Sequence, residues 1–465
     1  MKLPRQLGIA ASFIACGLVI STAAAADEVS FAHEVWPIFR QHCWSCHSGE
    51  KSEGGLRFDV KKHLQHGGES GPLFVPGKPD ESLLIEQVSG AKPAMPPKQP
   101  PLALEKIELL RRWIATGAKI DSVPVDRSAT VVIPKVYEYA PAITSVAIHP
   151  DGKLAACACR SEAVIVALDG EEKSLRLPTA CDLVTHVEFS PDGKLLAVAG
   201  GTPAMFGEVR FFDTAKGKLV GKRRVSGDTL FRGNFAPDGK SIALGGADGA
   251  VYVVPVDTKR PVQRIELHSD WVVDVCWTAD GSKLVTAGRD KTTKVADVKT
   301  GQLLRTLDAL FERVNAVVAD DELAISAGLT RAVTGYELDV ALQNVEVSGA
   351  GNGAKPVSRV AQYLRAFPVQ PGEVLDLALS GDRRLVAVVG RFGETHIYLL
   401  ADRKPAGTVS LGTPTAYAVA LNGDGTQLVV GCKSGRLDVY QLPDGKPLRS
   451  IEPVPVKNAP ASASH

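Results

Sequence analysis

Residues 184–199 read VTHVEFSPDGKLLAVA, and most of the architecture can be derived from them. Val184–Phe189 has the composition of a β-strand, Leu195–Ala199 is an apolar run that predicts a second, and Pro191-Asp192-Gly193-Lys194 between them has the composition of a tight turn. This pattern predicts two antiparallel β-strands joined by a hairpin. Val209–Asp213 predicts a third strand, and Leu219-Val220 begins a fourth.

The same strand-turn-strand pattern recurs along the later part of the chain. Turn aspartates lie at positions 151, 192, 238, 280, 320, 382 and 424, in steps of 41, 46, 42, 40, 62 and 42 residues. A period of about 40–45 residues with this content is typical of the four-stranded blades of a WD40 β-propeller. Seven turns predict seven blades within residues 135–452, and the longest step predicts an insertion at about 339–360.

The repeats resemble WD40 blades that have lost the tryptophan of the Trp-Asp pair. Four other residues, each followed by Asp, occupy its position: Leu168, Phe212, Val256 and Ala296. His268 resembles the Gly-His position that opens a blade, and Asp290 resembles the turn aspartate between the second and third strands. Either Val131–Tyr139 or Lys446–Ile451 could supply the last outer strand, so the sequence leaves the closure of the ring open.

The predicted propeller shows no recognisable catalytic motif. Its histidines are scattered, at most one in each blade: His149, His186, His268 and His396. Its cysteines lie in or beside apolar strands and are expected to be small buried residues: Cys157, Cys159, Cys181, Cys276 and Cys432. Cys157 and Cys159 would face the same side of one strand, too widely spaced for an easy disulfide.

Ahead of the repeats, residues 43–47 read CWSCH. Two cysteines three positions apart, followed directly by a histidine, form the signature of covalent haem c attachment. Cys43 and Cys46 can reach the two vinyl groups on one edge of a porphyrin, and His47 can bind the iron. A chance pattern and half of a zinc site are the alternatives, and zinc would need two further ligands. No cysteine lies between Cys46 and Cys157, so we predict one covalently bound haem c.

We predict that Met95 is the second axial ligand of the haem iron. Of the other methionines, Met1 lies in the leader and Met205 in a predicted blade. Prolines on both sides of Met95 stiffen the loop, so little entropy is lost in holding its thioether on the iron. His63 and His66 are the alternatives, in a polar, glycine-flanked stretch that favours solvent exposure. His/Met ligation leaves no open position on the iron and favours electron transfer.

A helix is predicted on each side of the haem motif. Apolar residues at helical spacing mark the two helices: Phe31, Val35, Ile38 and Phe39 in the first, and Leu104, Ile107, Leu110 and Ile114 in the second. Ser30 is a candidate N-cap of the first helix, and Pro37 is expected near its start or at a kink.

Together these residues resemble the planctomycete-type cytochrome c domain over nearly all of residues 28–120. Five segments carry the resemblance: Phe31–Ile38 with the Cys43–His47 motif, Gly54–Arg57, Pro76–Leu83, Met95–Pro97 and Trp113–Ala118. The resemblance implies a small all-α haem domain. One departure is Ala103, where the family usually has Ser or Thr as N-cap of the last helix, and this predicts a weaker cap.

The N-terminus predicts a protein exported to the periplasm or otherwise secreted. Lys2 and Arg5 precede a short apolar run, and Ala24-Ala25-Ala26 is a plausible cleavage site, so residues 1–26 are expected to be a signal peptide. Cys16 lies in a poor lipobox, and lipid anchoring is not expected. No later stretch is long and apolar enough to predict a membrane span.

The fold class predicted is therefore multidomain. A signal peptide and an all-α c-type cytochrome domain (28–120) precede a linker (121–134), an all-β seven-bladed WD40-like propeller (135–452) and a disordered tail (453–465). The chain has 53 basic and 52 acidic residues, and this balance gives no support for nucleic-acid binding.

The function expected is transfer of single electrons, with the propeller as a docking platform for a redox protein partner. This describes an electron carrier better than an enzyme with its own substrate. One alternative is a cytochrome–propeller oxidoreductase with catalysis in the propeller. Known proteins of that layout have eight blades and a second cofactor, and seven turns argue against it. Another alternative is a haem-linked scaffold or sensor.

Overall fold

A computed structural model describes residues 29–43, 46–48, 51–58, 64, 66–97, 101–120, 133–170, 174–307, 312–338 and 364–457. The predicted signal peptide, Cys16, His63, most of the linker, the insertion and residues 458–465 lie outside the described residues. Contacts divide the chain into two units. Residues 1–39 and 61–123 belong to one unit, and residues 40–60 and 124–465 belong to the other.

Short helices make up the regular structure around the haem motif. A π-helical turn, Phe31–Val35, leads directly into α1 (Trp36–His42), and the Glu34 carboxylate accepts a hydrogen bond from the Ser30 N–H at 2.9 Å. Pro37 is the second residue of α1, near its start as predicted. A 3₁₀ turn (Pro79–Glu81), α2 (Leu83–Val88) and α3 (Leu104–Ala115) follow.

An aromatic cluster forms the core of this first unit. The Trp113 ring of α3 is fully buried and lies 5.4 Å from Phe31, 6.1 Å from Phe39 and 4.9 Å from Phe74, measured between ring centroids. These tilted and edge-to-face arrangements are those that aromatic pairs favour. The last helix therefore packs against the π-helical turn through its tryptophan.

The two ends of α3 differ in how well their backbone groups are satisfied. At the start, Ala103 has an extended conformation and offers no side-chain cap, as its departure from the family pattern predicts. At the end, the Ile114 carbonyl accepts hydrogen bonds from the N–H groups of Gly77 (2.8 Å) and Gly117 (3.0 Å). The Pro76-Gly77 loop is thereby fixed on the C-terminus of α3.

Seven four-stranded antiparallel sheets follow, each with its strands in chain order. Blades 1 to 4 contain β3–β18: Ile143–Ile148, Leu154–Cys159, Glu162–Ala167, Ser174–Pro178; Leu183–Phe189, Leu195–Thr202, Phe206–Asp213, Leu219–Ser226; Leu230–Phe235, Ser241–Gly246, Ala250–Pro255, Gln263–Glu266; Val272–Trp277, Lys283–Gly288, Thr293–Asp297, Leu303–Leu307. Blades 5 to 7 contain β19–β30: Val314–Ala319, Leu323–Gly328, Val333–Glu337, Leu364–Ala366; Val374–Leu379, Leu385–Gly390, Glu394–Leu399, Pro405–Ser410; Ala416–Leu421, Gln427–Cys432, Leu437–Gln441, Lys446–Ile451. The predicted seven-bladed propeller is confirmed. β1 (His47–Ser48) and β2 (Lys51–Ser52) form a small hairpin ahead of it.

The first strand of every blade carries a β-bulge near its start. In six blades the register with the second strand shifts directly after the first paired residue, for example between Val272 and Asp274 and between Val374 and Asp376. In blade 2 it shifts after the second paired residue, between Val184 and His186. Bulges redirect side chains. Here they accompany a ring of residues at the third position of the first strand, or at the fourth in blade 2: Ser145, His186, Arg232, Asp274, Ala316, Asp376 and Ala418. Five of the seven are polar, and all five line one cavity of the central channel.

Lys446–Ile451 is the outer strand of blade 7, pairing with Leu437–Gln441, so this alternative for the closure is correct. The segment before blade 1 pairs elsewhere: Tyr137 forms a parallel bridge with Val456. The prediction that the chain is disordered from Pro453 is wrong for its first residues. Val454 is buried, and the Pro455 carbonyl accepts a hydrogen bond from the Tyr137 N–H at 2.8 Å.

A buried ion pair anchors the segment that enters the propeller. The Glu162 carboxylate, fully buried, accepts hydrogen bonds from the Arg176 guanidinium and from the Tyr137 hydroxyl at 2.8 Å. Arg176 also donates to the carbonyls of Pro134 and Lys135. The entry segment is thus tied to blade 1 by both its backbone and its tyrosine. Among the described residues, no helix has the length and apolar character of a membrane span.

Candidate haem-attachment site and propeller channel

The haem motif forms a single tight turn. The Cys43 carbonyl accepts hydrogen bonds from the N–H groups of both Cys46 (3.2 Å) and His47 (3.1 Å). Because one carbonyl accepts hydrogen bonds from both N–H groups, Cys43, Cys46 and His47 are held on one turn of chain. This is the local geometry that the spacing of the motif predicts.

The chain beyond the motif turns back on it. β1 and β2 pair as a two-residue hairpin, and the Glu53 N–H donates to the Cys46 carbonyl at 3.3 Å. Phe58 then covers the histidine: its N–H donates to the His47 carbonyl at 2.7 Å, and the two rings lie 5.7 Å apart, edge to face. His47 is therefore positioned by its own hairpin and by an aromatic neighbour.

The side chains of the motif fit covalent haem attachment. Burial, with the nearby Cys46, raises the pKa of the Cys43 thiol to about 12. Both cysteines are free thiols. The buried Nδ1 of His47 has no hydrogen-bond partner within the described part of the chain. A buried ring nitrogen that its surroundings leave unpaired is available to bind a metal, whereas buried polar atoms with a purely structural role are normally hydrogen-bonded.

Met95 lies on a loop attached to α2. Its N–H donates to the Gln87 carbonyl at 2.9 Å, its side chain is half-buried, and the following Pro96 is buried. The loop is therefore anchored, as the surrounding prolines predict. Met95 belongs to the first unit and His47 to the second, and their pairing as axial ligands stays a prediction. Of the alternative ligands, His66 is exposed as expected.

The channel ring brings together charges that the sequence does not mark as a group. The Arg232 guanidinium of blade 3 reaches Asp376 of blade 6, the Leu375 carbonyl (3.3 Å) and the Tyr417 carbonyl of blade 7 (3.0 Å). Arg232 thus crosses the channel and ties distant blades together. A charged third residue in an otherwise apolar first strand is the only sequence signal of this arrangement.

Carboxylates of the inner strands also link neighbouring blades. Asp274 accepts a hydrogen bond from the Val317 N–H at 3.0 Å, and Asp376 accepts one from the Val419 N–H at 2.9 Å. Burial raises the pKa of Asp274 to about 7 and also raises that of Asp376, and in both cases the positive charge of Arg232 opposes the shift. The inner edge of a blade has no further strand to pair with, and these carboxylates satisfy its backbone.

The most regular blade contains a paired histidine. His268 places Nδ1 2.9 Å from the Asp290 carboxylate and Nε2 2.7 Å from the Thr286 hydroxyl. Burial lowers the pKa of His268. The pKa of Asp290 falls to about 2, because hydrogen bonds from Thr292 and His268 outweigh its own desolvation. The predicted correspondence of His268 and Asp290 to a WD40 blade is therefore matched by direct contact.

The remaining propeller residues singled out from the sequence have structural surroundings. His149 contacts the Gly193 carbonyl at 3.0 Å, and His396 contacts Gln370 at 2.7 Å. Cys157 and Cys159 are fully buried on one strand, with sulfur atoms 3.6 Å apart, closer than the sequence suggests. In the part of the chain that the structure describes, no cluster of His, Cys, Asp and Glu could hold a metal ion.

Two family models match the chain. Planctomycete cytochrome C matches residues 43–99, and the WD domain, G-beta repeat, matches residues 259–297. The first match begins at Cys43 and includes Met95. The second covers the outer strand of blade 3 and the first three strands of blade 4, so the sequence repeat is offset by one strand from the blade.

Curated relatives match only part of the chain. WD repeat-containing protein SL1-17 of Schistosoma mansoni is 30% identical over 118 residues, which are 25% of this chain and 38% of that protein. Coronin-7 of Rattus norvegicus is 28% identical over 29% of this chain and 15% of its own length. WD repeat-containing protein VIP3 of Arabidopsis thaliana is 27% identical over 27% of this chain and 43% of its own length. The chain thus spans less than half of each of these relatives.

The family match, the turn at Cys43–His47 and the seven sheets agree with one another. Membership of a cytochrome c family implies a covalently bound haem. The chain therefore carries a planctomycete cytochrome c domain, matched over residues 43–99, followed by a seven-bladed propeller with WD40 repeats.

Proposed function

We propose that this protein is an exported monohaem c-type cytochrome that passes single electrons, with the propeller as a docking platform for a redox protein partner. The match to the cytochrome family, which begins at the Cys43 turn, is the observation that carries the proposal. When bound, a haem would supply a centre that takes up and releases one electron. Cys43 and Cys46 would hold it by thioether bonds, and His47 and Met95 would be its axial ligands.

The attachment can be tested on denatured protein. A pyridine-treated, denatured sample is expected to keep haem on the polypeptide, and a variant with Cys43→Ala and Cys46→Ala should lose it. A matched control, Cys157→Ala with Cys159→Ala, removes two thiols from the propeller and should keep the haem. Haem that extracts freely from the wild-type chain would show that the attachment is wrong.

The axial ligand has a separate spectroscopic test. The oxidised protein should show the weak far-red band of methionine-to-iron ligation, and Met95→Ala should abolish it and lower the reduction potential, since a methionine ligand raises that potential. Met205→Leu is the control, because Met205 packs at blade 2 against Ala180, Cys181 and Phe206. A far-red band that survives Met95→Ala would exclude Met95 as the ligand.

Export and docking are proposals of the same kind. Export predicts that the protein is found in the envelope fraction with a new N-terminus at Asp27, which mass spectrometry can check. Docking predicts that crosslinking in that fraction captures a redox protein. Partner affinity that changes with the oxidation state of the haem would support a sensor instead of a carrier.

The bonds of the channel support the scaffold role over catalysis in the propeller. Arg232, Asp274 and Asp376 are all engaged in contacts between blades. The ring also has seven blades, whereas the cytochrome–propeller oxidoreductases that it resembles in layout have eight. A non-haem chromophore in the purified protein would favour the oxidoreductase.

A further inference from the structure

One surface patch of the propeller brings together basic and exposed apolar side chains. The blade 5–6 patch, as we call it, consists of five residues on the turns and connection at the end of blades 5 and 6: Arg313, Leu329, Arg331, Val369 and Arg391.

Backbone hydrogen bonds make the patch continuous. The connection between the two blades, residues 367–373, lies against the second-to-third-strand turns of both. The Gln370 N–H donates to the Arg331 carbonyl at 2.9 Å, and the Arg391 N–H donates to the Glu373 carbonyl at 3.0 Å. The patch is therefore one surface held by the two blades and their connection.

The patch is positively charged. Arg313 and Arg391 share the Glu373 carboxylate, at 2.8 and 3.0 Å, and that carboxylate is only 10% exposed. Arg331 is exposed and has no ion pair with any described residue. Glu373 partly compensates the charges of Arg313 and Arg391. Two more carboxylates lie at the same turns: Glu312 and Glu394. The Arg331 guanidinium, unpaired among the described residues, is therefore the group that favours an anionic partner.

The backbone at Arg331 is strained. Its φ is +65°, in the left-handed region that favours glycine. The equivalent turns of blades 6 and 7 have Gly393 and Gly435 there, and that of blade 4 has Lys291 (φ +70°). A residue with a side chain is strained in this backbone conformation, and because the Arg331 side chain is exposed, packing does not offset the strain. This strain does not by itself single out Arg331, because it occurs at four other basic residues of the propeller turns: Arg160, Lys291, Arg383 and Arg403. What bears on binding is that Arg331 is exposed and has no ion pair with any described residue.

Apolar side chains lie among these charges. Val369 is 69% exposed and Leu329 39% exposed. Isolated exposed apolar residues are common and carry no inference by themselves. A surface that combines exposed apolar residues with arginines, however, has the composition of a protein–protein interface, whereas a sulfated or phosphorylated polymer would need only the charge.

We propose that the blade 5–6 patch docks an acidic protein partner, whose carboxylates pair with the arginines and whose apolar side chain covers Val369 and Leu329. This inference rests on the proposed docking role of the propeller and names the class of partner. Its test involves no haem signal. A chain that failed to bind haem would end the cytochrome proposal and leave the binding result standing.

The test uses full-length protein and a fluorescent peptide of glutamates around a central Leu-Phe pair. At low ionic strength, Arg331→Gly should weaken binding about two- to fivefold, the range for one exposed ion pair. Val369→Ser should also weaken it. The control is Arg403→Gly: Arg403 also has a positive φ (+62°), but lies on the third-to-fourth-strand turn of blade 6, at the opposite end of the strands.

Both glycine substitutions relieve backbone strain, so neither is expected to unfold the protein. Binding that falls only for the patch variants, and more for the Leu-Phe peptide than for a plain glutamate peptide, supports the proposal. Equal losses for Arg331→Gly and Arg403→Gly would overturn it, because bulk charge alone would then explain binding. Tighter, patch-dependent binding of dextran sulfate would also overturn it in favour of a polysaccharide.

Discussion

Arg232 offers the sharpest test of how the propeller holds its ring together. We consider Arg232→Met, which keeps much of the volume of the side chain and removes its charge. Only 19% of the Arg232 side chain and 12% of the Asp376 side chain are exposed, so water would screen the remaining carboxylate poorly. Removing one partner of such a buried pair costs about 3–5 kcal/mol. We expect a loss of that order in the free energy of unfolding.

The assay is guanidinium unfolding followed by far-UV circular dichroism, repeated for Asp376→Asn and for the double variant. Asparagine keeps an oxygen that can accept from the Val419 N–H, and this isolates the charge. If the two side chains act as a pair, the double variant should be no less stable than Arg232→Met, with a coupling energy of about 2 kcal/mol or more.

The pH dependence gives an independent check on the same variant. The folded-state pKa of Asp376 is already raised by burial against the opposing charge of Arg232, and Arg232→Met should raise it further. The variant therefore gains proton-linked stability at acidic pH and loses it as pH rises, so its deficit should be larger at pH 8 than at pH 5. A deficit below about 0.5 kcal/mol, the usual range for surface changes, or one independent of both pH and Asp376, would refute the role of Arg232.

Three further predictions concern other positions. Ala103→Ser should add a side-chain cap to α3 and raise the stability of the helical unit by about 1 kcal/mol in thermal unfolding. No gain would mean that the first backbone N–H groups of α3 already have other hydrogen-bond partners. A folded-state pKa of about 7 for Asp274 makes the stability of the wild type fall as pH rises from 4 to 8. Asp274→Asn lacks this titration and should gain stability relative to the wild type over that range, by at most about 4 kcal/mol. Unfolding free energies of the two proteins that change in parallel with pH would contradict this. Gly288→Ala should cost about 1–3 kcal/mol in chemical unfolding, since an added Cβ would overlap the His268 ring and the Asp290 carboxylate, and unchanged stability would contradict the packing around His268.

The sequence predicted the features that depend on short stretches of chain. A hairpin such as the one around the Asp192-Gly193 turn is specified by two short strand-forming segments and the turn between them, and seven such turns predicted the correct number of blades. The Cys43–His47 turn is equally local, because it lies within five consecutive residues. The weak cap at Ala103 also followed from one residue and its neighbours.

The features that escaped prediction depend on residues far apart in the chain. Arg232 and Asp376 are 144 positions apart, and each is only a charged residue in an apolar strand until the ring closes. From composition alone, the chain from Pro453 onward is predicted to be disordered. Val454 is buried because Tyr137, more than three hundred positions earlier, brings a backbone partner to it. No local pattern contains that information.

The two sets of arginines in the propeller show how structural and functional charge can be separated. Arg232 is mostly buried and donates hydrogen bonds to one carboxylate and two carbonyls. Its charge therefore serves to join blades 3, 6 and 7. Arg331 has the opposite character: it is exposed, strained and without an ion pair among the described residues. Losing the first should lower stability and leave surface binding intact, and losing the second should do the reverse. We therefore expect partner recognition to depend on the outer turns of the propeller and not on its channel.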